Sequence, residues 1–271
     1  MLLPPFASPQ TFKDALSPPA DAEGLWFIFS KDQLLVSDNK KKLPICHDYP
    51  LQRTIYLGTA GNNHLFAAEI QPENNPPSGW HWSSLRSLYT VLDEENYAIA
   101  GRALQLIHWD RTNKFCGRCG NTTSPRPNER CLECTSCGQL SYPKLAPAIM
   151  ALVKKDNKIL LARSPQFPGK AYSVLSGFVD PGETLEQCVA REVLEEVGIR
   201  VKNIQYFGSQ PWPFSYSLMI GFTCEWLEGE IQINPSEIEA ADWFDASSLP
   251  ELPPRISLSR MLIDTYLNGK C

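Results

Sequence analysis

GFVDPGETLEQCVAREVLEEVGI, residues Gly177 to Ile199, sets Glu183, Glu192, Glu195, Glu196 and Arg191 around one short helix. Thr184 followed by Gln187 three residues later is a capping-box start, and Gly198 after Val197 is an αL stop. At about 100° per residue, Leu185, Val189, Val193 and Val197 make one apolar stripe that should face a core. With Glu192 at zero, Glu196 falls at roughly 40° and Glu195 at roughly −60°, while Leu185 and Val189 fall near 20° and 60°. Glu192 and Glu196 therefore stand at the edge of the buried stripe.

A carboxylate at a core boundary needs a cation or strong hydrogen bonds. Arg191 supplies one partner, and the remaining negative charge suits an oxygen-loving cation such as Mg²⁺ or Mn²⁺. A solvated acidic face is the plainer reading of EVLEE alone. The surrounding spacing reverses it: Gly177, five residues, Glu183, seven residues, Arg191 and Glu192, then Glu195, Glu196 and Gly198. This pattern resembles the Nudix box at every fixed position. At residue frequencies near 7%, seven such matches arise by chance on the order of 10⁻⁸ per starting point. The resemblance implies an α+β chain ending in a Nudix α/β/α sandwich built on a mixed sheet, with diphosphate hydrolysis as its chemistry. It is silent about substrate.

With 271 residues, the chain is long for one domain. Three segments are expected: a β-rich amino-terminal domain over 1–110, a four-cysteine ribbon over 111–143, and the Nudix domain over 144–271. The net charge of −5 argues against broad nonspecific nucleic-acid binding. No run of about 18 apolar residues exists and the start lacks a basic region, so neither a membrane span nor a signal peptide is expected. Five of nine cysteines crowd between Cys116 and Cys137, which without a signal peptide favours a metal in a reducing, cytoplasmic compartment.

In the first hundred residues GLWFIFS, TIYLGTA and HLFAAEI read as strands, and helical spacing follows over Ser84–Leu92 and Glu94–His108. His47, His64, His81 and His108 are too scattered to make a site, and Lys40 to Lys42 read as a solvated run. From Ala148, AIMALV and ILLAR read as strands turning at Asp156 and Asn157. Further strands are expected near Ile204–Gly208, Tyr216–Trp226 and Glu230–Ile233, with a last helix over Ser257–Leu267.

Cys116 and Cys119 form one CxxC pair, and Cys134 and Cys137 form a second, with fourteen residues between the pairs. Two such pairs are zinc knuckles offering four thiolates to a tetrahedral site. Cys131 also stands three before Cys134, so a register must be chosen. Gly120 and Gly138 follow the second cysteine of each chosen pair, where glycine permits the tight bend, and Cys131 is then spare. Four cysteines leave no open position on the metal, so the zinc is structural, one per subunit. A nucleic-acid-binding ribbon is the functional alternative.

SQPWPFSYS, from Ser209 to Ser217, interleaves prolines with Trp212 and Phe214, which would present both rings with little ordering cost. A loop packing its own aromatics is the rival reading. Beside a Nudix box, this segment resembles SQPWPFPxS, the marker of the NADH pyrophosphatase branch. Ser215 departs from that family's proline and loosens one turn. The resemblance implies a homodimer that hydrolyses NADH or NAD⁺ to nicotinamide mononucleotide and AMP, using structural zinc and catalytic Mg²⁺ or Mn²⁺. Bacterial members also remove NAD caps from RNA, so capped RNA is a second substrate that the resemblance admits.

Glu192, Glu195 and Glu196 are the expected metal ligands, Glu196 doubling as general base or water positioner. Arg191 orients the acids by bidentate contacts and Glu183 supports it. By resemblance, Glu237 is the late acidic ligand, with Glu239 its rival, and the main-chain carbonyls of Ser176 and Ser259 complete the shell. Also by resemblance, the substrate contacts are Glu129, Tyr142, Phe178, Gln210, Pro211, Trp212, Pro213, Phe214, Ser215, Tyr216 and Ser217, with Arg86 and Lys40 matching more loosely. Two other functions fit parts of the chain: hydrolysis of ADP-ribose or dinucleoside polyphosphates, and nucleotide sensing without cleavage by a nucleic-acid-binding regulator.

Overall fold

The computed structural model describes residues 4–39, 42–45, 50–71, 75–166, 169–214 and 216–269. Lys40 and Ser215, both expected at the substrate, lie outside the described residues, as do Lys41, Cys46, His47 and Cys271. The described residues fall into two compact units, one of Pro5–Leu145 with Trp212–Tyr216, the other of Ala146–Pro211 and Ser217 onward together with Pro4.

In the first unit, β1 (Phe12–Asp14), β2 (Gly24–Ser30), β3 (Gln33–Ser37), β4 (Leu51–Ala60), β5 (Asn63–Ile70) and β6 (Trp80–Ser84) form one sheet in the order β1-β4-β5-β2-β3-β6. GLWFIFS is β2, and its Phe27, Ile28 and Phe29 are fully buried. The expected helix over Ser84–Leu92 is only a 3-10 turn, Leu85–Leu88, because Thr90 takes a positive φ of 65° that breaks helical geometry. Helix α1 (Glu94–Thr112) follows, capped by Asp93, whose carboxylate accepts from the Asn96 amide at 2.9 Å. The ribbon strands β7 (Thr123–Pro125), β8 (Leu132–Cys134) and β9 (Leu140–Ser141) make a separate three-stranded sheet.

The second unit holds β10 (Ala146–Lys155), β11 (Lys158–Arg163), β12 (Leu175–Phe178), helix α2 (Leu185–Val197), β13 (Arg200–Trp212), β14 (Ser217–Glu228), β15 (Ala240–Asp245) and helix α3 (Leu258–Leu267). The sheet order is β13-β14-β10-β11-β15, with β12 paired to β10. β10 runs parallel to β14 and antiparallel to β11 and β12, so the sheet is mixed. Alternation along β10 and β14 sends Ile149, Ala151, Val153, Ile220, Phe222 and Cys224 into one core with Val189, Val193 and Val197 of α2. Gly221 points to the other face, where an added Cβ would lie 3.2 Å from Leu258 Cδ2 of α3. Helices on both faces of a mixed sheet make the expected sandwich.

The two sheets share a topology. The order β4-β5-β2-β3-β6, with β2 parallel to β5, repeats as β13-β14-β10-β11-β15, with β10 parallel to β14, and a helix follows each last strand. The first copy has no described helix between β3 and β4, where the second carries α2.

The strand expected over Glu230–Ile233 is absent. Instead the Gln232 and Asn234 amides donate to the carbonyls of Val197 and Glu196 at 2.9 Å each, so this segment closes the end of α2.

Candidate active site

Helix α2 starts and stops where its sequence dictates. The Gln187 amide donates to Thr184 Oγ1 at 3.2 Å, the Thr184 amide donates to Gln187 Oε1 at 2.8 Å, and Gly198 takes φ 73°. Such a cap stabilises by about 1 kcal/mol. Each fully buried valine of the stripe adds about 1.5–3 kcal/mol. Burying that stripe carries Glu192 and Glu196 inward to 9% and 7% exposure.

Arg191 ties the acids together. Its Nε and Nη2 donate to the two oxygens of Glu183 at 2.7 and 2.9 Å, and its Nη1 donates to Glu192 at 2.8 Å and Glu195 at 2.9 Å. Nη2 also donates to the Phe178 carbonyl at 3.0 Å. One guanidinium thus fixes three carboxylates and the backbone of Phe178, whose ring is 58% exposed. Hydrogen bonding to Arg191 holds Glu183 down at about 2. Burial pushes Glu192 up, while Arg191 opposes that shift.

Glu196 is in a different state. Burial, then the charges of Glu192 and Glu237, raise it to about 8, against a backbone hydrogen bond from Ser176. Its Oε2 is buried with no hydrogen-bond partner among the described residues. An orphaned carboxylate oxygen beside two further carboxylates is a donor set for a hard divalent cation. Among the described residues only the cysteine group gathers three or more ligand atoms within 4.8 Å of one another, so no three of the acids close up that far.

Glu237 couples electrostatically to Glu192 and Glu196, whereas Glu239 is engaged by Arg163 at 2.9 Å. That favours Glu237 as the fourth acid. Of the two serines, Ser176 lies on β12 with its backbone at Glu196. Ser259 lies in the first turn of α3, 1% exposed, with its hydroxyl 2.8 Å from Ser173 Oγ and accepting from the Val174 amide. Gly177 has a role that its spacing alone does not reveal: an added Cβ would lie 1.9 Å from Glu192 Cδ. The backbone here is a cradle for that carboxylate.

The four ribbon cysteines have their sulfurs within 4.8 Å of one another, with pairs at 3.4 to 3.7 Å. Tetrahedral zinc with 2.3 Å bonds needs about 3.8 Å. Gly120 and Gly138 take φ 76° and 69°, and their amides return to the carbonyls of Cys116 and Cys134. Hydrogen bonds from Asn121 lower Cys119 to about 6, toward the thiolate that a metal requires. Cys131 is buried apart from this group, with its thiol donating to the Leu132 carbonyl.

The remaining candidates divide. On the ribbon, the Tyr142 hydroxyl donates to Glu129 at 2.7 Å. Arg86 lies 3.9 Å over the Phe214 ring and 5.2 Å over that of Trp212, and these two rings meet edge to face at 5.0 Å. Tyr216 stacks on His108 at 5.6 Å. The rings expected to stand open to a ligand are thus partly packed by their own unit, and Pro213 is buried. Gln210 is fully buried, with its amide donating to the Ile256 carbonyl and accepting from the Leu258 amide, both at 2.7 Å. It braces α3 rather than opening to solvent. Pro211 is half-buried and Ser217 buried at the start of β14.

Comparison with known proteins covers almost the whole chain. Residues 144–263 match the NUDIX domain, 23–109 the NADH pyrophosphatase-like rudimentary NUDIX domain, and 111–142 the NADH pyrophosphatase zinc ribbon domain. The NAD-capped RNA hydrolase NudC of Deinococcus radiodurans is 42% identical over 267 residues, spanning 97% of this chain and 94% of the relative. Its namesake from Stutzerimonas stutzeri is 40% identical over 259 residues, 93% of each. A NUDIX hydrolase structure from Nitrosomonas europaea superposes with a TM-score of 0.50 at 22% identity, covering 58% of this chain and 92% of that one, a likeness of fold.

Proposed function

The chain belongs to the Nudix family, in the branch that joins a rudimentary Nudix domain and a zinc ribbon to the hydrolase domain, and we propose that it cleaves the diphosphate of NADH and NAD⁺. The products are AMP and nicotinamide mononucleotide, the latter in its reduced form when NADH is the substrate. RNA carrying an NAD cap is a substrate by the same cleavage, since the relatives are named for that activity. The observation that carries the reading is the buried, unpartnered oxygen of Glu196 beside Glu192 and Glu237.

Glu192, Glu195, Glu196 and Glu237 would hold Mg²⁺ or Mn²⁺, with the main-chain carbonyls at Ser176 and Ser259. When bound, the cation neutralises phosphate charge and acidifies water. Arg191 keeps Glu192 and Glu195 oriented, and Gly177 leaves Glu192 room. Glu196, whose burial raises its proton affinity, takes the proton of the attacking water as general base. Arg86, Trp212, Phe214, Tyr216, Phe178, Glu129 and Tyr142 receive the dinucleotide, while Gln210, Pro211, Pro213 and Ser217 shape the loop. Ser259 serves by fixing α3 against the segment that leads into β12.

Cys116, Cys119, Cys134 and Cys137 hold a structural zinc that keeps the ribbon folded. The segments 1–110, 111–143 and 144–271 are the working divisions, the enzyme acts as a homodimer, and the cytoplasm is its compartment. No described helix is long and apolar enough to cross a membrane. Incubating NADH with purified protein and Mg²⁺ or Mn²⁺, then separating the products, tests the reading. Reduced nicotinamide mononucleotide and AMP in equal amounts support it, and intact dinucleotide with either cation refutes it.

A further inference from the structure

The amino-terminal arm, residues 4–22, lies ahead of the first family match, which starts at residue 23. It is nevertheless built into the first unit. Its strand β1 is the edge of the sheet and pairs with β4, and Asp14 accepts from Arg102 of α1 at 2.9 Å and from Arg130 of the ribbon at 2.7 Å. Those two ion pairs and the strand register fix where the arm begins its run.

At the arm's tip, Phe6 is 4% exposed and adopts φ 70°, a left-handed conformation that a bulky residue takes only when its surroundings demand it. The reason is visible in its contacts. The Phe6 ring stacks on Tyr97 at 4.6 Å and fills the space over Gly101, where an added Cβ would lie 2.4 Å from Phe6 Cδ1. From there its ring meets Phe214 at 5.6 Å with a 78° interplanar angle and Trp212 at 6.5 Å with 87°. Arg86 covers the same two loop rings. Trp212 and Phe214 are thus each contacted both by an arginine and by an aromatic wedge.

We propose that Phe6 is a positioning residue for the 212–214 loop, setting the pose of Trp212 and Phe214 that receives the nicotinamide dinucleotide. This rests on the reading of that loop as substrate-facing. Edge-to-face packing gives a ring a defined orientation as well as burial, and a loop held in its bound pose before binding loses less freedom when the ligand arrives. The wedge acts on ring recognition and leaves the metal-binding acids unchanged.

Two measurements on Phe6→Ala test the proposal. With 5-fluorotryptophan incorporated, the ¹⁹F resonance of Trp212, assigned through Trp212→Phe, should shift or broaden in the free protein. In steady state the KM for NADH should rise about tenfold with kcat within about twofold, and the KM for ADP-ribose, which lacks the nicotinamide ring, should rise less. If Phe6→Ala fails to fold, Phe6→Leu, which fills the space over Gly101 without a ring edge, carries both measurements. An unmoved Trp212 resonance, or a moved one with the NADH to ADP-ribose KM ratio unchanged, overturns the proposal. If wild-type protein does not hydrolyse NADH at all, the functional reading fails, and the Trp212 resonance alone decides whether the arm positions the loop.

Discussion

The Cβ that Gly177 lacks would lie 1.9 Å from Cδ of Glu192 and 2.0 Å from its Oε1. Strand β12 and helix α2 are therefore fitted to one another at the carboxylate of a proposed metal ligand. Gly177→Ala should displace that carboxylate, which is the far end of a flexible side chain. Melting should stay within about 1 kcal/mol of wild type, while kcat falls by about 100-fold or more. Unaltered turnover in a folded variant would remove Glu192 from the site.

Arg191 reaches Glu183 through two different nitrogens and Glu192 and Glu195 through a third. Lysine keeps the charge but cannot form this fork. Arg191→Lys should lower kcat by about 10- to 100-fold and raise the divalent-cation concentration needed for half-maximal rate. Wild-type cation dependence in the variant would count against the clamp.

Glu196 in the folded protein is raised to about 8 from an ordinary 4.5. Between those values the folded state binds a proton that the unfolded state has released, so stability is fully present below pH 4.5 and is lost as pH rises through about 8. Without added divalent cation, stability should fall by about 1 kcal/mol per pH unit across part of this window. Burial shifts Glu192 in the same direction. Mg²⁺ or Mn²⁺ should flatten the slope, because a cation favours the ionised carboxylates, and Glu196→Gln should flatten it without cation. Urea unfolding at a series of pH values checks both, and a slope unchanged in the variant would contradict the assignment.

The ribbon makes a selective prediction. Cys119→Ser should lose one equivalent of zinc and destabilise the protein, since the other three sulfurs gather around Cys119. Cys131→Ser should retain zinc, because Cys131 is spent on the Leu132 carbonyl. Metal analysis of the two purified variants distinguishes the registers.

What could be read from the sequence was local. The cap at Thr184, the stop at Gly198 and the burial of Val189, Val193 and Val197 follow from spacing along one helix, and the register of the cysteines follows from two glycines. What could not be read depends on distant partners. The sheet order, with β10 parallel to β14, brings together segments about seventy residues apart. Gln210 looks like an open loop residue until Ile256 and Leu258 claim both ends of its amide. Glu230–Ile233 has strand-like residues but closes the end of α2 instead. Phe6, in a proline-rich start, carries no periodic signal, and only Tyr97 and Gly101 in α1 reveal its position.

The role proposed for Glu196, with its neighbouring acids, is to drive hydrolysis of a nicotinamide dinucleotide. Steady-state kinetics of wild type and Glu196→Gln on NADH, NAD⁺, ADP-ribose and NAD-capped RNA, each with Mg²⁺ and with Mn²⁺, tests it most directly. The kcat/KM for a nicotinamide substrate should exceed that for ADP-ribose, and Glu196→Gln should lower turnover on every substrate by orders of magnitude while its melting shows an intact fold. ADP-ribose as the preferred substrate, or near-normal turnover in folded Glu196→Gln, would contradict it.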